Sequence, residues 1–238
     1  MNVPLLFLTG CINPNNITHT LLLDSDIRYK QYVEAIFFYL KETDLPILFV
    51  ENSGVDISKE FNFNNNRIEI LTFYGNVFER HLGKGFGEME IIEYALKRSK
   101  KIKHSDFIFK ITGRYKILNI NSLINQYYQL KPQIQVLVDL RKSLSFSDSR
   151  FWGAEKDFFK RLIEYKDLVN DSRGFFFEHA LSKLVLQQII EGRNYSFIKN
   201  LPRYSGIYAT NNTNYNDSWI YWFPRNIKHN LRYYLMKY

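Results

Sequence analysis

The chain has 238 residues, a formal net charge of +8 and 45% hydrophobic residues, enough for one α/β domain with an extension. Its single cysteine, Cys11, excludes an internal disulfide framework, and no cluster of Cys and His has the spacing of a zinc site. No run approaches about eighteen apolar residues, so no membrane span is expected, while the excess of Lys and Arg calls for an anionic partner: nucleic acid, acidic lipid or a phosphorylated small molecule.

Pro4 to Leu8 predicts a first strand, after which Thr9-Gly10 opens a polar loop reaching about Leu23. Leu8-Thr-Gly-Cys11 has the form of a lipid-attachment box. The apolar run before it is too short for a signal core and no Lys or Arg precedes it, so neither lipidation nor secretion is expected. Asn16-Ile-Thr18 then carries no glycosylation meaning, and a reducing, cytoplasmic setting follows. Asp24 or Asp26 caps a helix whose Tyr32, Ala35, Ile36, Tyr39 and Leu40 share one face. Pro46 to Val50 is a second strand, closed by Glu51-Asn-Ser-Gly54, and the three elements make a right-handed βαβ unit.

Arg67 to Phe73 predicts a third strand. Gly83-Lys-Gly-Phe-Gly87 leads into a helix from about Glu88 to Lys101, with acids in its first turns and bases in its last, matching the macrodipole. Phe107 to Ile111 is a fourth strand, Ser122 to Gln129 a short helix, Ile134 to Leu140 a fifth strand and Arg150 to Ala154 a sixth, with a helix starting near Lys156. Phe175 begins a further helix continuing to about Ile190, and Lys199 to Asp217 reads as polar loop. No acid follows Asp217. Trp219, Tyr221, Trp222 and Phe223 precede Pro224, and beyond it Ile227, Leu231, Tyr234 and Tyr238 share a helical face with Arg225, Lys228 and Arg232 beside them. The division expected is a catalytic domain over 1–198 and an amphipathic extension over 199–238.

Several groups of residues can carry chemistry. The strand ending in Lys110-Ile-Thr-Gly-Arg114 places two cations where an α/β sheet holds ligands, and Arg can fork onto two phosphate oxygens; solvated charges are the plainer reading. The glycine cluster is neither a Walker loop nor a dinucleotide fingerprint, yet it offers a helix amino terminus and Lys84 to an anion, or else is a simple turn. Glu51, Asn52 and Ser53 can read a base edge or a ribose hydroxyl, or merely form a loop. Asp139 ends the fifth strand as a candidate base or metal ligand, though a pair with Arg141 is an equal reading. Glu178-His179 opens a helix after three phenylalanines, where a partly desolvated carboxylate can act as general base or serve only the helix dipole.

Taken in order, these pieces resemble a GT-A glycosyltransferase of bacterial capsule and O-antigen assembly, over roughly residues 4–190. The combination of Glu-Asn-Ser-Gly, Gly-Lys-Gly-x-Gly-Glu and Lys-Ile-Thr-Gly-Arg is also similar to that of short polysaccharide glycosyltransferases. The resemblance implies a mixed, mainly parallel Rossmann-type sheet flanked by helices, with the aromatic and basic carboxyl-terminal helix as an addition. It implies a nucleotide-sugar site at Thr9, Gly10, Glu51, Asn52, Ser53, Lys84, Gly87, Glu88, Lys110, Thr112, Gly113, Arg114 and Tyr115. Phe151-Trp-Gly-Ala-Glu155 looks like the family's acceptor-side segment, which brings in Trp152, Gly153 and Glu155, with Arg141 and His179 nearby. Where the family carries Asp-x-Asp, this chain has Ile111-Thr-Gly-Arg-Tyr115, so no motif supports Mg²⁺ or Mn²⁺, although a divalent ion stays open, and no cofactor is assigned.

The expected reaction transfers a sugar from a nucleoside diphosphate to a hydroxyl of a glycan or lipid-linked glycan. Fixed cations, Arg114 and Lys84, would stabilise the departing diphosphate, Glu178 would take the acceptor proton, and Asp139 is the reserve base. The acid-free carboxyl-terminal segment suits an anionic membrane surface or packing on the domain's own core. Two rivals remain: a nucleic-acid-binding module, weakened because most aromatics fall at core positions, and a nucleotidyltransferase, which would want an acid pair for metal.

Overall fold

The computed structural model describes residues 3–14, 22–61, 66–207 and 218–237. Strict alternation along the strands decides the architecture. In β1 (Leu5–Gly10), Leu6 and Leu8 face one core while Leu5 and Phe7 face another. The first layer is built by α1 (Ser25–Glu42), capped as expected by Asp24, whose carboxylate accepts from the amides of Asp26 and Ile27. Then come β2 (Ile47–Glu51), β3 (Ile68–Thr72), α2 (Gly83–Arg98) and β4 (Phe107–Thr112). After them follow α3 (Ile120–Gln129), β5 (Val136–Val138), β6 (Phe151–Glu155), α4 (Lys156–Ile163), α5 (Phe177–Ile190), β7 (Tyr195–Phe197) and α6 (Trp219–Lys237).

The main strands form one seven-stranded sheet in the order β7-β5-β6-β4-β1-β2-β3. All neighbours are parallel except β6, which runs antiparallel to both β4 and β5. Helices α1 and α3 cover one face, around Tyr39, Phe49, Phe109 and Phe151, and α2, α4 and α5 cover the other, around Phe7, Trp152, Phe159 and Leu181. Both faces being covered is why the strands read as continuous apolar runs. The expected mixed, mainly parallel sheet flanked by helices, with an aromatic and basic carboxyl-terminal helix, is what the structure shows.

Several boundaries differ from expectation for identifiable reasons. Helix α2 begins at Gly83 rather than Glu88, because glycines are needed inside its first turns: Gly83 has φ +79°, and a Cβ there would lie 2.0 Å from the Asp171 carboxylate. β7 lies three residues long before the expected polar loop, too short to show a period, and Tyr204–Ser205 within that loop pairs with Lys116–Ile117. The expected fifth strand divides, since Leu140–Arg141 leaves the sheet to pair with Phe146–Ser147. Asn16 to Thr18, residues 208–217 of the polar loop, and Tyr238 lie outside the described residues.

Candidate active site

The carboxyl ends of β1, β2, β4 and β5 meet at one sheet edge, where α/β sheets place their ligands. The register sets Thr9 beside Thr112 and Gly10 beside Glu51. Because β6 runs the other way, its amino end, not its carboxyl end, reaches this edge, with Phe151 opposite Ile111. A cavity of about 400 Å³ lies here, within the range of small-molecule sites.

From β1 and β4 the cavity takes Thr9, Gly10, Thr112, Arg114 and Tyr115; from the end of β2 it takes Asn52; and from α2 it takes Lys84, Gly87 and Glu88. Lys110, Arg141 and Glu178 complete the expected residues that line it. Gly113 does not line it but makes the edge possible: a Cβ there would lie 2.7 Å from the Thr9 carbonyl, to which the Gly113 amide donates at 2.9 Å.

Some of these side chains are engaged by the protein itself. Lys110 is 1% exposed and points to the α2 and α5 side of the sheet, where its ammonium lies 2.5 Å from Glu88 Oε1 and donates to the Ser149 carbonyl at 2.9 Å. Lys110 is therefore compensated by Glu88 instead of standing as a free phosphate ligand, which corrects the expectation for both residues. Arg114, 5% exposed, donates to the Ile207 carbonyl at 2.7 Å and to the Tyr115 hydroxyl, its guanidinium 4.5 Å from the Tyr115 ring centroid. It lines the cavity and at the same time holds the segment before residue 208. Lys84 is exposed at the start of α2 and has no described protein partner, so its charge is available to a ligand.

Glu51 and Ser53 were expected to touch the nucleotide, and the structure turns them inward. The fully buried Glu51 carboxylate accepts from the amides of Ile12 at 2.9 Å, Ser53 at 2.9 Å and Val55 at 3.0 Å, and from the Ser53 hydroxyl. Burial nevertheless pushes its pKa above the ordinary carboxylate range. This carboxylate joins the loops after β1 and β2. Asn52 beside it is 1% exposed, and its Oδ1 has no hydrogen-bond partner among the described residues, leaving an acceptor at the cavity wall.

The acceptor-side expectations change most. Trp152 is fully buried and stacked on Phe159 at 4.6 Å, opposite Lys110 in the middle of the sheet. Gly153 lies against Phe107, where a Cβ would meet the ring at 2.6 Å, and Glu155 accepts from Gln135 at the far end of β6. The reversed strand is the reason: the residues that reach the cavity are Asp148, Ser149 and Arg150, which precede it. His179 does not line the cavity either; its Nδ1 accepts from the Phe176 amide at 3.1 Å and so caps α5. Asp139 is 3% exposed and bound by Arg141 at 2.6 Å, with Arg232 at 3.6 Å, so it is not poised as a reserve base.

Residues that sequence reasoning missed fix the site's shape. Arg28 of α1, 5% exposed, donates through Nε to the Cys11 carbonyl at 2.8 Å and through NH1 to the Leu22 carbonyl at 3.2 Å, holding the loop after β1. Burial raises the Cys11 thiol pKa to about 11. Asp148 would be raised by its burial, but Arg150 and Arg141 outweigh that and hold its pKa at about 2. Ser149 donates its hydroxyl to Glu178 Oε1 at 2.7 Å, orienting the half-buried carboxylate on the first turn of α5. The signal for these residues was the run Asp148-Ser-Arg150 directly before an apolar strand, informative only once that strand's direction is known.

The chemistry available is that of fixed cations, helix amides and one oriented carboxylate. Among the described residues no group of three or more His, Cys, Asp or Glu side chains could hold a metal ion. The segment where the resembled family carries its metal motif offers Thr112, Gly113 and Arg114, a donor set that does not fit a hard divalent cation.

No protein-family model matches this sequence, and no curated protein matches it. Among solved structures the chain is similar to a protein assigned as a nucleotide-diphospho-sugar transferase from Desulfovibrio desulfuricans, with a TM-score of 0.49, 9% identity and coverage of 83% of this chain and 80% of that one. It is also similar to a glycosyltransferase involved in glycosylation of the major capsid of PBCV-1, with a TM-score of 0.47, 13% identity and coverage of 82% and 81%. A cytidylyltransferase from Leptospira borgpetersenii matches with a TM-score of 0.47, 10% identity and coverage of 85% and 77%. At these values the likeness assigns no activity.

Proposed function

We propose that this protein transfers a sugar from a nucleoside diphosphate donor to a hydroxyl of a surface-polysaccharide glycan carried on lipid, at an anionic membrane surface facing the cytoplasm. The observation that supports this reading is the meeting, around one cavity at the carboxyl edge of the sheet, of Lys84, Arg114 and the amino terminus of α2 with the oriented carboxylate of Glu178.

As the bond between the sugar and the diphosphate breaks, negative charge grows on the leaving oxygens. Lys84, Arg114 and the positive end of the α2 dipole stabilise that charge more in the transition state than in the ground state. Glu178 accepts the proton of the attacking hydroxyl while Ser149 holds its Oε1, which leaves the other carboxylate oxygen for the proton. Asn52 Oδ1 accepts from an N–H on the edge of the base. Arg141 and Arg150, held by Asp148, flank the acceptor.

The test is to incubate the protein with a panel of nucleoside diphosphate sugars and a lipid-extracted glycan acceptor, and to measure release of nucleoside diphosphate. Release that depends on acceptor and is lost in Glu178→Gln is expected. Consumption of nucleoside triphosphate with release of pyrophosphate, and no turnover of any sugar nucleotide, would replace the reading with nucleotidyl transfer.

A further inference from the structure

Helix α6 docks on the domain through its polar side. Trp222 donates from its indole nitrogen to the Leu201 carbonyl at 2.9 Å, Asn226 Oδ1 accepts from the Leu201 amide at 2.8 Å, and His229 Nε2 lies 2.8 Å from the Ile198 carbonyl. Tyr233 is 8% exposed on the same side, so residues 222, 226, 229 and 233 form one face at helical spacing.

The opposite face is apolar and turned to solvent. Ile220 is 78% exposed, Leu231 60% and Leu235 82%, with Phe223, Ile227 and Tyr234 about half exposed alongside. The helical period sets Lys228, Arg232 and Arg225 along one flank of that stripe, and the chain carries no acid beyond Asp217 to offset them. A helix normally turns its apolar face inward; this one is held in the reverse sense by specific hydrogen bonds.

We infer that the outward face of α6 lies in the surface of an anionic bilayer, with Ile220, Leu231 and Leu235 in the acyl boundary and Arg225 and Lys228 among the lipid phosphates. This deepens the membrane clause of the proposed function and stands independently of its catalytic clause. Charge complementarity selects the occupant. A second copy of this chain would bring cation against cation, with no acid on the helix to answer them, whereas acidic headgroups answer them directly. Among the described residues no helix is long and apolar enough to cross a membrane, so the contact is interfacial. The chain of ion pairs from Arg232 at 3.6 Å to Asp139, and from Asp139 at 2.6 Å to Arg141, links this helix to the cavity wall, so a lipid-borne acceptor would arrive beside the site.

The experiment is co-sedimentation of the full chain with phosphatidylcholine vesicles, alone or containing one third phosphatidylglycerol, for wild type, for Ile220→Ser/Leu231→Ser/Leu235→Ser, and for Arg225→Gln/Lys228→Gln. Wild type is expected to bind the anionic vesicles strongly and the neutral ones weakly. The triple variant is expected to lose binding, and the charge variant to weaken on the order of twentyfold, at about fivefold for each removed cation near the surface. Circular dichroism melts and nucleoside diphosphate titrations are expected to be unchanged in both variants. Equal binding by wild type and variants, or no vesicle binding by wild type, would reject the surface while leaving the transferase reading intact. A dimer in sedimentation velocity that the triple variant dissolves would assign the face to a second copy instead.

Discussion

Ser149 and Glu178, 29 residues apart, are joined at the cavity: the Ser149 hydroxyl donates to Glu178 Oε1 at 2.7 Å while the Ser149 carbonyl accepts from Lys110 Nζ at 2.9 Å. One residue thus sets the direction of the candidate base and receives a hydrogen bond from the buried lysine behind it.

That relationship makes a kinetic prediction. Glu178→Gln keeps the shape and the Ser149 contact but cannot take a proton, so kcat should fall by about 10² to 10⁴ with the donor KM nearly unchanged. Ser149→Ala should cost about tenfold in kcat with the donor KM nearly unchanged, a split a merely structural serine would not produce.

The Lys110 and Glu88 pair predicts stability rather than catalysis. Lys110→Met leaves the Glu88 carboxylate beside a desolvated wall and should destabilise the fold by about 3 kcal/mol in urea unfolding, near the low end for breaking a buried pair because Glu88 is 19% exposed. Adding Glu88→Met should recover part of that loss, since removing both charges removes the uncompensated one.

Glu51→Gln separates the loop-joining role from a ligand-reading role. An amide cannot accept as many hydrogen bonds as the carboxylate does from the backbone at residues 12, 53 and 55, so about 1–3 kcal/mol of stability should be lost. The donor KM should rise through loosening of the loop after β1. Unchanged stability with lost binding would return Glu51 to the ligand.

Asp148 gives an acid-range prediction. Its folded pKa of about 2 lies below the unfolded value of about 3.9, so the native state holds fewer protons and stability declines as the pH falls. The contribution is complete at neutral pH, begins to drain near about pH 4 and is gone once the pH has passed below about 2. Asp148→Asn should flatten that part of the stability curve and lower stability at pH 7, with Arg141 and Arg150 left facing one another.

Much of the fold could be read because buried strands and capped helices announce themselves: Asp24 caps α1, and Phe107 to Ile111 is a continuous buried run. The direction of β6 could not be read. The resemblance placed Trp152, Gly153 and Glu155 on the acceptor side, whereas the reversal of β6 brings Ser149 and Arg150 to the cavity and leaves Trp152 in the core. The strand's place in the order put Lys110 at the ligand-holding edge, but could not show the α2 carboxylate of Glu88 waiting on its side of the sheet. Glu51 looked like a ligand because loop amides as its partners are invisible until two loops are brought together.

The central proposal is that the cavity binds a nucleoside diphosphate through Lys84 and the amino terminus of α2. Isothermal titration of wild type and Lys84→Ala with a panel of nucleoside diphosphates, and of wild type with single-stranded DNA at two salt concentrations, tests it most directly, because Lys84 is exposed and its removal leaves the core intact. Saturable binding of at least one nucleoside diphosphate, weakened about tenfold in Lys84→Ala by loss of one charge-assisted hydrogen bond, is the predicted result. Binding of DNA alone, falling steeply with salt, would contradict it.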